Sequence, residues 1–245
     1  MRQPVSSSMR DLDLLTLCQG IVASKDNALE LLDDAKILRA NGKLARAYAT
    51  AYMACEENGK ISILLGAAVK VIIGRPVDWK VTAKRFRSHG SKASQFMGLA
   101  NAMPILESAA KEGLKSFSID EVLVKVFAGV NVGPMLFQSR NTSLYCDFVD
   151  GTFKRPSDVI TSEIVDRMID TAEINIRAAT VLACDTAEET EEKIKERISA
   201  QGYDSSMNSI RNFVDDFYAN LPPEEEMEAI AEKTYARKAA KNSRS

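Results

Sequence analysis

Asn27-Ala28-Leu29-Glu30-Leu31-Leu32-Asp33-Asp34-Ala35 and, beyond one short break, Ala51-Tyr52-Met53-Ala54-Cys55-Glu56-Glu57-Asn58-Gly59-Lys60 are the stretches on which the fold of this chain turns. Leu29, Leu32, Ala35 and Leu38 recur at helical spacing, and Asn41-Gly42 supplies a C-terminal stop. From Lys43 the pattern restarts, with Leu44, Ala47, Tyr48, Ala51, Cys55, Ser62 and Leu65 on one face. Many of these side chains are small, so a neighbouring helix can approach closely. Two helices are predicted, 27–41 and 43–73, packed antiparallel because so short a connection permits little else. Gly74-Arg75-Pro76 ends the second. Within it Glu56 precedes Lys60 by four residues and Glu57 by three, so both acids reach one ammonium. A solvated face of alternating charge has the same spacing.

Outward from this hairpin the pattern stays helical. Asp11 to Ala23 reads as a short first helix, and Ser24 as the cap of the next. Asp78 caps a helix through Arg87, and another covers Ser91 to Lys111. Ile119 to Phe127 is amphipathic, whereas Gly133-Pro134 interrupts an apolar run. Arg140 to Arg155 reads as irregular, with a turn at Asp150-Gly151. A long helix is predicted from Pro156, with Ile160, Ile164, Met168, Ala172, Ile176 and Ala179 recurring near helical spacing. Thr186 then caps a charged helix to Ala200, and two more follow at Ser209–Leu221 and Glu224–Lys241. The expected class is all-α, a helical domain over 1–187 with a charged C-terminal helical extension over 188–245.

A formal charge of −2 argues against a protein that coats nucleic acid wholesale. The balance is local, however: from Arg75 to Lys92 six Lys or Arg stand against one Asp. Cys18, Cys55, Cys146 and Cys184 are widely spaced among apolar or small residues, which reads as buried free thiols in a reducing cytoplasm. The longest apolar run, Ile61 to Val69, falls far short of the roughly 20 residues that span a bilayer. No phosphate loop, dinucleotide fingerprint or nucleophile elbow is present, and no cofactor is expected.

Chemistry concentrates in two further stretches. Trp79-x5-Arg85-Phe86-Arg87-Ser88-His89-x2-Lys92 carries the chain's one histidine. Any imidazole that moves a proton near neutral pH is therefore His89. Arg85, His89 and Lys92 form a cationic stripe if the helix is continuous, though Gly90 makes a junction there equally natural. The alternative is that His89 binds Glu56 or Glu57 and locks two helices together. The second stretch is Arg140-Asn141-Thr142-Ser143-Leu144-Tyr145-Cys146-Asp147-Phe148. Here the alternative to chemistry is a structural turn, with Arg140 and Asp147 pairing and Tyr145 as a packing anchor. Glu56-Glu57 lacks the second acidic pair that a metal site requires.

These stretches together resemble a known family. Asn27-Ala28-Leu29-x-Leu31-Leu32-x-Asp34-Ala35, Ala49-x-Ala51-x-x-Ala54-x-Glu56-Glu57-x-Gly59-Lys60, Phe86-x-x-His89-x-x-Lys92 after Trp79, and Leu144-Tyr145-x-Asp147 are similar to the AbiV abortive-infection proteins, grouped with the HEPN superfamily of helical domains. The resemblance spans roughly residues 21 to 185. It implies a HEPN-like bundle, a homodimer, and a bacterial antiphage defence role acting on RNA or the translation machinery, as a toxin or effector. Many HEPN domains cut RNA without metal, using an Arg, often a polar residue next, and a His four to six positions on. Arg140-Asn141 matches that start, and Tyr145 stands where the histidine belongs. An unperturbed tyrosine, with a pKa near 10, is a weak base at neutral pH. Two expectations therefore stand: an RNA-directed toxin using Arg140, Asn141, Tyr145 and His89, or a non-catalytic sensor that binds a phage protein. Glu56, Glu57, Lys60, Arg85, Lys92 and Asp147 are the surrounding polar or RNA-contacting set in either case.

Overall fold

Asp13 begins the first helix by accepting the amide of Thr16 at 2.7 Å. The computed structural model describes residues 9–98, 139–149, 151–180 and 183–200. Helix α1 runs unbroken over Leu14–Ala40, where the sequence suggests two helices meeting at Ser24. Leu17, Cys18, Ile21, Ser24, Lys25, Ala28, Leu32 and Ala35 form one continuous buried stripe. Ser24 is therefore interior rather than a cap, and Leu29 lies on the outer flank while Ala28 takes the core position.

Helix α1 closes as the Asn-Gly signal predicts. Gly42 adopts φ +69°, Lys43 donates its amide to Leu38 O and Gly42 to Arg39 O. Helix α2, Leu44–Ile72, returns antiparallel and repeats the same closure at Gly74, φ +67°. It is buried on nearly every side, the pattern of a central helix rather than a surface one. A short helix α3, Trp79–Arg87, is capped by Asp78, whose carboxylate accepts from Val81 N at 2.9 Å. A further helix, α4, begins at residue 89 and is described to residue 98. The remainder of its predicted span and the 119–127, 133–134, 209–221 and 224–241 segments lie outside the described residues.

Residues 139–144 form helix α5, followed by an antiparallel hairpin of β1 (Asp147–Val149) and β2 (Thr152–Lys154). The stretch read as irregular is thus a helical turn and a hairpin, with Gly151 at φ +77°. The long helix expected from Pro156 is also divided, into α6 (Pro156–Val159) and α7 (Ser162–Thr180). Ile160 is extended at ψ 114° with its side chain buried, and Thr161 Oγ1 accepts from Ile164 N at 3.4 Å to start α7. Helix α8, Ala187–Ala200, opens with a reciprocal cap: Glu189 N donates to Thr186 Oγ1, and Thr186 N to Glu189 Oε2.

Helices dominate the described residues, and the class is all-α. The core has two parts. One gathers the second half of α1, the first half of α2, Ala93 and Phe96 of α4, and α7. The other joins the first half of α1, the second half of α2, Ala179 of α7, Ala183 before α8 and Ile194 of α8, with Trp79 and Phe86 of α3 packed against it. Lys25, buried in α1, donates to Cys184 O at 2.7 Å and reaches Asp185 at 3.1 Å, tying α1 to the segment between α7 and α8. No described helix is long and apolar enough to cross a membrane.

Candidate functional site

Glu56 and Glu57 are adjacent on α2 and therefore point about 100° apart. Glu57 turns outward and meets Lys60 at 2.5 Å, while Lys60 lies 5.3 Å over the ring of Phe86. Glu56 turns inward and is only 5% exposed. The two acids thus do not share one ammonium, although their spacing permits it.

An imidazole and two cationic side chains, from two other helices, converge on Glu56. His89 Nδ1 lies 2.8 and 2.9 Å from its two carboxylate oxygens. Lys92 Nζ is 3.4 Å from Oε2, and Arg140 Nη1 is 3.6 Å from Oε1. Arg140 Nη1 also stands 3.2 Å from His89 Nδ1. A carboxylate offers only lone pairs, so Nδ1 must carry a proton to bind it. Arg140 is then a second donor gathered by the same anion, and not a partner of the ring nitrogen.

Local structure explains why these residues meet. Ser88 ends α3 and starts α4: its amide bonds Lys84 O, and its hydroxyl accepts from Ser91 N at 3.1 Å. His89 is thereby placed in the first turn of α4, whose N-terminal end favours the Glu56 charge. A Cβ on Gly59 would fall 2.5 Å from the backbone oxygen of Lys92. Only glycine lets α2 and α4 cross this closely, and the crossing delivers Lys92 to Glu56, one helical turn from Gly59. Arg140 arrives from α5, bonds Asn141 Oδ1 at 3.1 Å and lies 5.9 Å over the Tyr52 ring. Tyr52 in turn meets Phe96 edge-on. Burial, with the Glu56 charge added, pushes the Tyr52 phenol well above its ordinary range.

His89, Arg140, Asn141, Glu56 and Lys92 are therefore one connected group. Tyr145 is not part of it: its side chain is 64% exposed, just beyond the end of α5. Asp147 is exposed and accepts the amide of Phe148, so Arg140 pairs with Glu56 instead. Arg85 is half-buried on α3. Gly59, Ser88 and Tyr52 position the group, and sequence reasoning had no separate role for them. Gly59 stood in the sequence only as part of Glu56-Glu57-x-Gly59-Lys60, outside the small-residue face of α2.

Among the described residues the group holds one carboxylate against two permanent cations and an imidazole. These side chains sum to +1 with His89 neutral and +2 with it protonated, a balance that favours an anion such as a phosphate. Among the described residues no trio of His, Cys, Asp or Glu side chains converges as a metal site would require. The His89 side chain is 44% exposed, against 15% for Arg140 and 7% for Lys92, so the imidazole is the part that solvent reaches.

No curated protein and no solved structure matches this chain. The AbiV model of the HEPN type matches residues 16–177, well over half of the 245, and that span contains every member of the group around Glu56. The chain belongs to the AbiV family of HEPN-type proteins.

Proposed function

We propose that this chain is an abortive-infection effector directed at RNA, with His89 supplying in space the imidazole that the Arg140 motif lacks in sequence. One observation carries the reading: His89 Nδ1 and Arg140 Nη1 lie 3.2 Å apart on a shared, buried carboxylate. Glu56 holds the Nδ1 proton and so assigns Nε2 the role of proton acceptor, the orientation a carboxylate imposes on a catalytic histidine. Nε2 takes the proton of a ribose 2′-hydroxyl, whose oxygen attacks the adjacent phosphorus. The P–O5′ bond breaks, leaving a 2′,3′-cyclic phosphate and a 5′-hydroxyl, the leaving oxygen taking its proton from solvent water. Arg140 and Lys92 offset the charge that builds on the phosphoryl oxygens. Tyr145 has no role in this scheme.

A second reading has its own support. Arg140 is already held by Glu56, Asn141 and the Tyr52 ring, which is how a structural lock would use it. The effector then acts by binding, with a phage protein or the translation machinery as its partner. RNA integrity separates the two, measured in cells after induction and with purified protein. Under the nuclease reading His89→Ala and Arg140→Ala abolish cleavage and growth arrest while the circular dichroism spectrum is kept. Arg140→Lys rescues little, because the planar grip is lost. Intact RNA in cells that the wild-type chain still arrests would reject the nuclease and leave the binding effector.

A further inference from the structure

Helix α3 carries four cations and no carboxylate in nine residues, within a chain of net charge −2. Trp79, Ala83 and Phe86 fall on one side of it, and Trp79 and Phe86 pack on the core. Lys80, Lys84 and Arg87 follow at i, i+4 and i+7, about 100° further round. All three are exposed, and none pairs with a carboxylate among the described residues. Between this helix and the segment Met9–Asp11 lies a cleft of about 410 Å³. Arg10, Lys80 and Arg87 line it with Trp79, against the single acid Asp11. A cationic cleft beside an indole is thus continuous with a cationic helix face, and through Ser88 that helix leads directly to His89.

We infer that this cleft and the Lys80–Lys84–Arg87 face bind single-stranded RNA, the cations meeting phosphates and Trp79 meeting a base, an inference that rests on the RNA-directed reading above. The indole decides the class of partner. An acidic protein segment would be served by the cations alone, whereas a base can also stack on the indole that lines the cleft. Paired bases in a duplex are stacked internally and cannot reach the ring, so the strand is single. The face extends about 10 Å from Lys80 to Arg87, seven residues of helical rise, and so tracks a backbone rather than gripping one isolated anion.

Trp79 is the only tryptophan in the chain, so its fluorescence reports on the cleft itself. The full-length protein is titrated with a 2′-O-methyl oligouridylate, which lacks the nucleophile and reads binding apart from cleavage. Saturable quenching is expected, weakening with salt. For single strands the logarithmic salt slope falls by about 0.7 per phosphate contact, so Lys80→Gln/Lys84→Gln/Arg87→Gln should lower it by roughly 2. Circular dichroism checks that this variant keeps its helices, as three exposed substitutions should. Absence of quenching, or a variant that binds and quenches like wild type, overturns the inference. Polyglutamate that binds as tightly as the oligonucleotide overturns it too, in favour of an acidic protein partner. Quenching by the oligonucleotide without cleavage of unmodified RNA supports the cleft and removes the nuclease.

Discussion

Glu56 is the residue on which the site depends, because its one buried charge gathers His89, Lys92 and Arg140. Removing it leaves two permanent cations in poorly solvated positions. Breaking a buried ion pair from one side costs about 3–5 kcal/mol, and the solvent access at His89 puts Glu56→Gln near the low end, ~3 kcal/mol. Urea denaturation measures this, and a loss below roughly 1 kcal/mol would mean that the carboxylate is not the anchor. The sequence offers Glu56 and Glu57 equally as partners for the lone histidine. They differ only in azimuth on α2, and azimuth has consequences only once a neighbouring helix is in place.

Between elements, the crossing of α2 and α4 at Gly59 sets the geometry. Helix propensity alone favours Gly59→Ala by roughly 1 kcal/mol. The added methyl would meet the Lys92 carbonyl at 2.5 Å, and a backbone atom inside a helix cannot swing aside. Overpacking of this kind costs about 1–3 kcal/mol, so it outweighs propensity. A lowered melting temperature for Gly59→Ala, together with loss of whichever activity the His89 variants lose, is the expected outcome. A variant that melts at or above wild type would show that the helices separate without strain. Other element ends were legible beforehand, since Asp78, Thr186, Asn41-Gly42 and Gly74 close or open helices through local hydrogen bonds. The division at Ile160-Thr161 was not, because apolar spacing continues through Ile160 while the backbone turns to seat that side chain in the core.

Across the whole molecule, the four thiols report how the core is closed. Cys55 is fully buried against α7, 4.0 Å from Met168 Sδ, and burial pushes its thiol far up. Cys18 is buried as well, its thiol pushed up to about 11 by desolvation, with Glu191 adding to it. Cys146, for which the sequence suggests burial, is instead exposed, because it lies just before the β1–β2 hairpin rather than on a core-facing helix. The thiolate is the reacting form, so a disulfide reagent at neutral pH should label Cys146 first and Cys184, half-buried, more slowly. Cys18 and Cys55 should react only at the rate of opening of the folded state, and mass spectrometry of the labelled peptides distinguishes them. Rapid native labelling of Cys55 would contradict the packing of α2 against α7.

The sequence by itself determined the helical class, the α1–α2 hairpin with both of its closures, and the set of polar residues from which the site is drawn. These follow from helical period and from capping groups a few residues away, so they are readable along the chain. Only the tertiary structure decided that Glu56 and not Glu57 faces inward, that Ala28 and not Leu29 enters the core, and that His89 meets Arg140 across 51 residues of sequence while Tyr145 stays in solvent. Those outcomes depend on which helix faces abut and how near they come. That nearness is set by the missing side chain at Gly59, and no periodicity encodes it.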